Sequence, residues 1–287
     1  MKNTIFTVII AVLASFTTYK FLPGGEGVTL IDKKETAYER VMRTGKIRCG
    51  YGLYYPYMMK NPNTSEFSGV FYDYTEALGK ELSLEIEWVE ETGWADYPTA
   101  LETRRIDAFC AGAWITPSRT RVLDYVTPIT YQPNSIAVKA GNDRFDGDLS
   151  TFNNPDVTFA QMEGTAELVA VETHFPKARI LVIPSLSSVS ESFESVESNK
   201  ADAFLVGPAT IHDYQSSNPG VIKMLQNVEI ASFHGEAISI MRGEGEFRQM
   251  LSNTTLALIN SGRLDPIIKK YEVAPGSIYL AKPYKEK

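Results

Sequence analysis

The stretch that decides the fold is residues 106–128, which read IDAFCAGAWITPSRTRVLDYVTP. Its first part, residues 106–111, is short and apolar, as expected of a strand that is buried on both faces of a parallel sheet. We expect Gly112 to end this strand. Thr116 then fits an N-cap and Pro117 the first helical position, so the pattern predicts a helix after the strand.

Arg119 lies in the first turn of this predicted helix. Open α/β sheets bind ligands where a helix begins beyond the carboxyl end of a strand, and free N–H groups with a guanidinium favour an anion there. A carboxylate is the simplest guest, because the planar fork of arginine holds it with two parallel hydrogen bonds. Spacing alone leaves a second interpretation open, in which Arg119 is a surface residue that pairs with Asp124.

Helical and strand patterns alternate along the rest of the chain. The first part predicts a helix at 36–44, a strand at 47–50, a helix at 74–82 and a strand at 84–88. The alternation restarts after Ala137, with strands at 157–160, 180–183 and 203–206, helices at 165–175 and 190–198, and later helices near 247–258 and 264–271. Such alternation is typical of α/β units with a mostly parallel sheet flanked by helices.

Short motifs follow one another in a fixed order over about residues 36–272. They are GKIRCG at 45–50, GVFYD at 69–73, DA at 107–108, ITPSR at 115–119, DYVTP at 124–128, GT at 164–165, KADA at 200–203 and NSGRL at 260–264. Together they resemble the amino-acid-binding type, family 3, of bacterial extracytoplasmic solute-binding proteins. The resemblance implies the two-lobed periplasmic binding protein type II fold, whose lobes close on a ligand about a hinge. We expect one lobe at 36–137 plus 233–287 and the other at 138–232.

The same resemblance implies a set of ligand-binding residues. They are Arg119 as the carboxylate clamp, Thr116 and Thr165 as supporting donors with Gly164 in the adjoining turn, and Trp94, Trp114 and Tyr55 as aromatic walls.

Two positions depart from the family's pattern. Trp114 stands where a small residue is usual, and it adds bulk and a π-face. Gly207 stands where amino-acid-binding members usually carry an aspartate that grips the ligand's ammonium, a charge-assisted bond of about 1.5–3 kcal/mol. We therefore expect a small ligand with a carboxylate at Arg119 and a flat or cationic part between Trp94, Trp114 and Tyr55.

The first 22 residues predict export. Lys2 precedes an uncharged, largely apolar run over residues 3–19, which is typical of a secretory signal. Extended to Leu22, the run approaches the roughly 17–25 residues of a spanning helix, so an uncleaved anchor in the inner membrane stays open. Residues 23–35 follow as a linker. In either case we expect the body of the protein to be periplasmic.

The two cysteines raise the question of a disulfide. In the fold that the sequence resembles, Cys49 and Cys110 lie on neighbouring strands, so an oxidising compartment would permit a bond between them. Adjacent parallel strands place their Cβ atoms awkwardly, and we therefore favour two buried free thiols.

Composition narrows the function classes. The chain is 44% hydrophobic and 22% charged, an ordinary globular composition, and its net charge of −7 without a basic patch argues against a nucleic-acid partner. No spacing typical of a metal, cofactor or nucleophile site occurs, and we expect neither metal nor cofactor.

Three functions stay open. We favour a monomeric receptor, not an enzyme, that captures a small molecule for an inner-membrane ABC permease. A membrane-tethered ligand sensor is the first alternative. The second is a dehydratase-like enzyme on the same scaffold, in which Glu163, Glu167 or Glu236 would act as acid or base if burial raised its pKa.

Overall fold

The computed structural model describes residues 35–145, 148–225, 230–273 and 277–281. The predicted signal or anchor and nearly all of the predicted linker lie outside these ranges. Within them, no helix has both the length and the apolar character that crossing a bilayer requires.

The described chain alternates helices and strands. The helices are α1 Ala37–Thr44, α2 Val70–Leu82, α3 Tyr97–Glu102, α4 Ala166–His174, α5 Ser190–Glu197, α6 Pro208–Ser217, α7 Gly245–Asn260 and α8 Asp265–Tyr271. The strands are β1 Lys46–Tyr51, β2 Met59–Lys60, β3 Phe67–Ser68, β4 Glu85–Glu91, β5 Ala108–Trp114, β6 Leu123–Tyr125, β7 Thr130–Lys139, β8 Thr158–Met162, β9 Arg179–Ile183, β10 Ala203–Val206, β11 Ile222–Met224, β12 Ile230–Met241 and β13 Tyr279–Leu280. Single 3-10 turns lie at Arg119–Arg121 and Leu149–Phe152.

The principal strands follow the order β4-β1-β5-β12-β7-β10-β8-β9. Strand β1 pairs in parallel with β4 and β5, and β8 pairs in parallel with β9 and β10. The central pairs β5–β12, β12–β7 and β7–β10 are antiparallel. We call the part built on β1, β4 and β5 the first lobe and the part built on β8, β9 and β10 the second lobe. The expected α/β class is confirmed, with parallel outer strands and an antiparallel centre.

Strand β7 serves both lobes. Its residues 130–134 pair with β12, whereas residues 135–138 pair with β10. One continuous strand therefore connects the two sheet regions. The boundaries expected after residues 137 and 232 remain predictions.

Local sequence signals explain the first helix. Thr36 accepts a hydrogen bond from the Glu39 N–H while the Glu39 carboxylate accepts one from the Thr36 N–H, a capping box that satisfies two free donors. At the other end, Gly45 adopts a left-handed conformation with φ +70°, which glycine reaches without steric cost. The helix predicted at 36–44 is confirmed.

The prediction that Gly112 ends its strand is wrong. Strand β5 continues to Trp114, and Gly112 lies inside it with φ +80° at a shift in the register with β12. A Cβ on this residue would collide with the Phe71 ring. Gly112 therefore forms a β-bulge. A glycine after an apolar run can mark either a bulge or the end of a strand, and the sequence pattern alone does not distinguish the two.

The helix predicted at Thr116 is also wrong. Only the 3-10 turn Arg119–Arg121 forms there, because β6 begins two residues later and pairs with β12. The Thr116 hydroxyl bonds the Ser118 hydroxyl (3.2 Å) instead of capping a helix. The segment after β5 therefore offers an anion the Arg119 guanidinium and no helix N-terminus of its own.

Cys49 and Cys110 form a disulfide, so the expectation of two free thiols is wrong. Their Cα atoms lie 5.6 Å apart, within the range that the bond requires. The expectation assumed a regular ladder, but the register of β1 with β4 shifts directly after Cys49. Such an irregularity redirects side chains along the strand.

Reduction of this disulfide is expected to lower the free energy of unfolding. The bond spans 61 residues of sequence, for which the chain-entropy relation gives about 4 kcal/mol, or about 10 °C in melting temperature. Thermal unfolding with and without dithiothreitol measures the effect. The double variant C49A/C110A is the control and should not respond to the reductant; equal melting of the wild-type protein in both conditions would contradict the prediction.

Candidate functional site

A narrow cleft lies where the carboxyl ends of β5, β8 and β10 face one another. Its lining is Tyr54, Trp94, Gly112, Trp114, Arg119, Gln161, Met162, Thr165, Ala166, Glu167, Val189, Phe204 and Val206. Apolar and aromatic side chains predominate and the polar groups are few, as is usual for a small-molecule site. We call this cavity the inner cleft.

Arg119 connects the two sides of the inner cleft. Its guanidinium donates hydrogen bonds to the carbonyl oxygens of Trp94 (3.4 Å) and Trp114 (3.5 Å) in the first lobe and of Gly164 in the second. It also lies 5.2 Å from the centre of the Tyr97 ring. The Asp124 carboxylate accepts a hydrogen bond from the Gly243 N–H (3.3 Å). The cation is therefore placed against backbone oxygens at the lobe junction.

Two of the three expected aromatic walls line the inner cleft. Trp114 is 5% exposed, and Trp94 meets Tyr54 edge-on with ring centres 6.1 Å apart. Tyr55 does not reach this cleft. It lines a neighbouring groove with Asp213 and Thr210. The tyrosine that lines the inner cleft is Tyr54.

The expected hydroxyl donors have structural partners. Thr165 lines the inner cleft, but its hydroxyl accepts a hydrogen bond from the Leu168 N–H (3.3 Å) as the N-cap of α4 and donates one to the Met162 carbonyl (2.8 Å). Thr116 lies outside the inner cleft, in an outer groove that also contains Arg119, Gly164 and Thr165. The inner cleft and this outer groove therefore meet at Arg119.

A buried polar network supports the Trp114 wall from behind. Glu236 on β12 is fully buried and accepts hydrogen bonds from the Trp114 indole N–H (3.1 Å) and the Thr130 hydroxyl (2.6 Å). In the orientation of the Gln132 amide that satisfies both its nitrogen and its oxygen, the NH₂ group donates a hydrogen bond to Glu236 (2.9 Å) and the oxygen accepts one from the Tyr54 hydroxyl (2.9 Å). Burial raises the pKa of Glu236 from its usual 4.5 to about 8, although the bonds from Thr130 and Trp114 lower it.

This network explains why residue 207 is glycine. A Cβ on Gly207 would overlap the side-chain amide of Gln132, which accepts a hydrogen bond from the Gly207 N–H (3.3 Å). Gln132 therefore occupies the space that a side chain at this position would need. Sequence reasoning identified the departure at Gly207 but not Gln132, because the two residues are 75 positions apart and no local pattern links them.

Glu167 is the carboxyl group of the inner cleft. It is 9% exposed, and burial raises its pKa to about 7, against a lowering by its own backbone N–H and by Arg119. Of the other two carboxylates considered from sequence, Glu163 is exposed in the outer groove and Glu236 belongs to the buried network. Among the described residues, no cluster of three or more His, Cys, Asp or Glu side chains is arranged to hold a metal ion.

Comparison with known families agrees with the fold. The model of the bacterial extracellular solute-binding proteins, family 3, matches residues 47–274. The chain belongs to this family. It is a solute-binding protein, and the extracellular family accords with the predicted export.

Individual relatives are distant in sequence but similar in length. ABC transporter arginine-binding protein 1 of Escherichia coli is 24% identical over 218 residues, 75% of this chain and 86% of that protein. An L-arginine-binding protein of Pseudomonas aeruginosa is also 24% identical, over 69% of this chain and 82% of the relative. The crystal structure of an ancestral amino acid-binding protein, described as a precursor of cyclohexadienyl dehydratase, is 26% identical with a TM-score of 0.72. The superposition covers 82% of this chain and 99% of the ancestral protein.

The buried carboxyl of Glu236 is expected to make stability depend on pH. The folded state keeps a proton up to about pH 8, whereas the unfolded chain loses it near 4.5, so the free energy of unfolding falls as the pH rises between these values. Glu236→Gln should flatten this fall, measured by chemical denaturation at about pH 5, 6.5 and 8. Glu246→Gln, an exposed substitution on α7, should keep the wild-type slope. A slope that Glu236→Gln leaves unchanged would contradict the assignment.

Proposed function

We propose that the protein captures an amino-acid-like solute in the inner cleft for delivery to an inner-membrane ABC permease. The observation that carries this proposal is the position of Arg119, whose guanidinium lies between the two lobes at the edge of an enclosed aromatic cleft. A ligand carboxylate would replace backbone carbonyls as its partner and form charge-assisted bonds, which are stronger than bonds to neutral oxygens.

Glu167 supplies the complementary charge. It lines the same cleft and interacts electrostatically with Arg119, so one site holds a cation and an acid. A zwitterion with a carboxylate and a protonated nitrogen matches this pair. Because Gln132 fills the space beside Gly207, Glu167 is the group we assign to the ligand's nitrogen, and ligand binding would favour its ionised form.

Lobe closure is the second part of the proposal. Arg119 reaches Gly164 across the cleft, and β7 continues from one sheet region into the other. We assign the hinge to β7 and β12, near the crossings expected after residues 137 and 232. Rotation about a few residues of these strands would open the cleft, as in other hinged binding proteins.

The proposal includes a cellular location, an oligomeric state and a partner for the protein. We assign the body to the periplasm, as a monomer, with residues 1–22 either removed as a signal or kept as an inner-membrane anchor. The relatives named for ABC transporters support the permease as the partner that receives the ligand.

Arg119→Ala is expected to abolish ligand stabilisation. A ligand at 100 times its dissociation constant stabilises a protein by about 2.7 kcal/mol, which is several degrees in melting temperature. A thermal-shift screen of amino acids and their deaminated analogues should identify such a ligand for the wild-type protein, and the shift should disappear in the variant. Arg121→Ala, in the same 3-10 turn but outside the inner cleft, is the control. An unchanged shift in Arg119→Ala would overturn the proposal.

The cleft also favours one enzymatic alternative. A buried carboxylic acid whose pKa is raised to about 7 is suited to general acid catalysis, and a structural relative is described as a precursor of a dehydratase. In a dehydration, Glu167 would protonate a leaving hydroxyl so that water departs.

This alternative predicts turnover, which passive binding does not. Loss of water from a hydroxycyclohexadienyl acid, with loss of a proton or carbon dioxide, yields an aromatic ring that ultraviolet absorbance detects. Turnover by the wild-type protein that Glu167→Gln abolishes and Glu163→Gln retains would favour the enzyme. Binding without turnover would favour the receptor.

A further inference from the structure

Gln161 is a buried amide without a hydrogen-bond partner in the described chain. It lies on β8, is fully buried and lines the inner cleft, and neither its Oε1 nor its Nε2 atom is bonded. Most buried polar groups in folded proteins are paired, so an unpaired amide at a ligand cleft indicates a place where a ligand group can bind. The role proposed for Arg119 does not account for the unpaired amide of Gln161.

Gln161 lies away from the edge where the inner cleft meets the outer groove. Arg119, Thr165 and Trp94 line both the inner cleft and the outer groove, whereas Gln161 lines the inner cleft but not the outer groove. The inner cleft also contains Phe204 and Val206 from the neighbouring β10. A ligand whose carboxylate is held by Arg119 at the shared edge would extend its other end toward this interior.

The chemistry of an amide restricts what that end can be. A glutamine amide offers an acceptor oxygen and a donor NH₂ group in one plane. A carboxamide or ureido group offers the complementary acceptor and donor, so both atoms of Gln161 are satisfied together. A guanidinium has only donors and leaves the Nε2 group without an acceptor, whereas a carboxylate has only acceptors and leaves Oε1 without a donor.

We infer that Gln161 selects ligands whose far end is a carboxamide or ureido group. This inference rests on the proposed function, because the ligand is taken to be an amino acid held at Arg119. Because Gln161 is fully buried, its hydrogen bonds to a ligand would form in a low dielectric, where such bonds are stronger than in water. Gln161 is thus a specificity-determining residue for this site.

The test uses two pairs of nearly isosteric amino acids. L-glutamine and L-glutamate differ in the terminal amide, and L-citrulline and L-arginine differ in one atom of the terminal group. Isothermal titration calorimetry of the full chain at fixed pH and salt should give about tenfold or greater preference for glutamine over glutamate and for citrulline over arginine, the effect of leaving buried polar atoms unpaired.

Two substitutions assign the preference to Gln161. Gln161→Met keeps the length of the side chain but removes both hydrogen bonds, so both ratios should fall to within about threefold of unity. Gln161→Glu makes the group an acceptor only and should reverse the second pair in favour of arginine. Gln249→Met, on the exposed face of α7, should keep the wild-type ratios. Circular dichroism and melting curves identify any variant that fails to fold, in which case the other variant decides.

The outcomes separate this inference from the proposed function. Tighter binding of arginine than citrulline by the wild-type protein, or ratios that Gln161→Met leaves unchanged, would overturn the role of Gln161 and leave the amino-acid receptor standing. In the second case an internal water would be the partner of the amide. Absence of binding by all four amino acids, together with no effect of Arg119→Ala on any ligand, would overturn both.

Discussion

The buried carboxyl of Glu236 ties the central strands of the protein to the wall of its cleft. Through Thr130 and Gln132 it joins β12 to β7, and through the Trp114 indole it holds the aromatic wall. A carboxyl group that is fully buried is costly unless its hydrogen bonds are satisfied, and here the partners come from β7 and from the end of β5. The position of the wall therefore depends on the pairing of the two strands that connect the lobes.

The same network shapes the charge distribution of the cleft. Because Gln132 occupies the space beside Gly207, a side-chain carboxylate is excluded there, and Glu167 is the acid that lines the inner cleft. Arg119 faces it from the lobe junction. Because Glu167 is buried, the effective dielectric is lower than at the surface, and a cation and an acid interact more strongly there. The proposed ligand binding and lobe closure would both involve this pair of charges.

Much of the fold could be predicted from local patterns. The helix at 36–44 and the strand at 203–206 were predicted close to their observed bounds, because helix-ending residues and short apolar runs act within a few positions. Predictions that assumed regular geometry were less successful. The bulge at Gly112 and the disulfide of Cys49 with Cys110 both arise at irregularities in strand register, which are set by the neighbouring strands.

The sequence by itself determined the family and the α/β class and named Arg119 as a candidate, because ordered motifs and residue types can be recognised along the chain without tertiary contacts. The position of Arg119 at the lobe junction came only from the structure. The tertiary structure decided which polar groups share the cleft. Gln132 and Gly207 meet only because β7 and β10 are paired, and Gln161 is left unbonded only because its strand is enclosed. Burial and pairing between residues distant in the chain set pKa values and hydrogen-bond partners, and no local pattern encodes them.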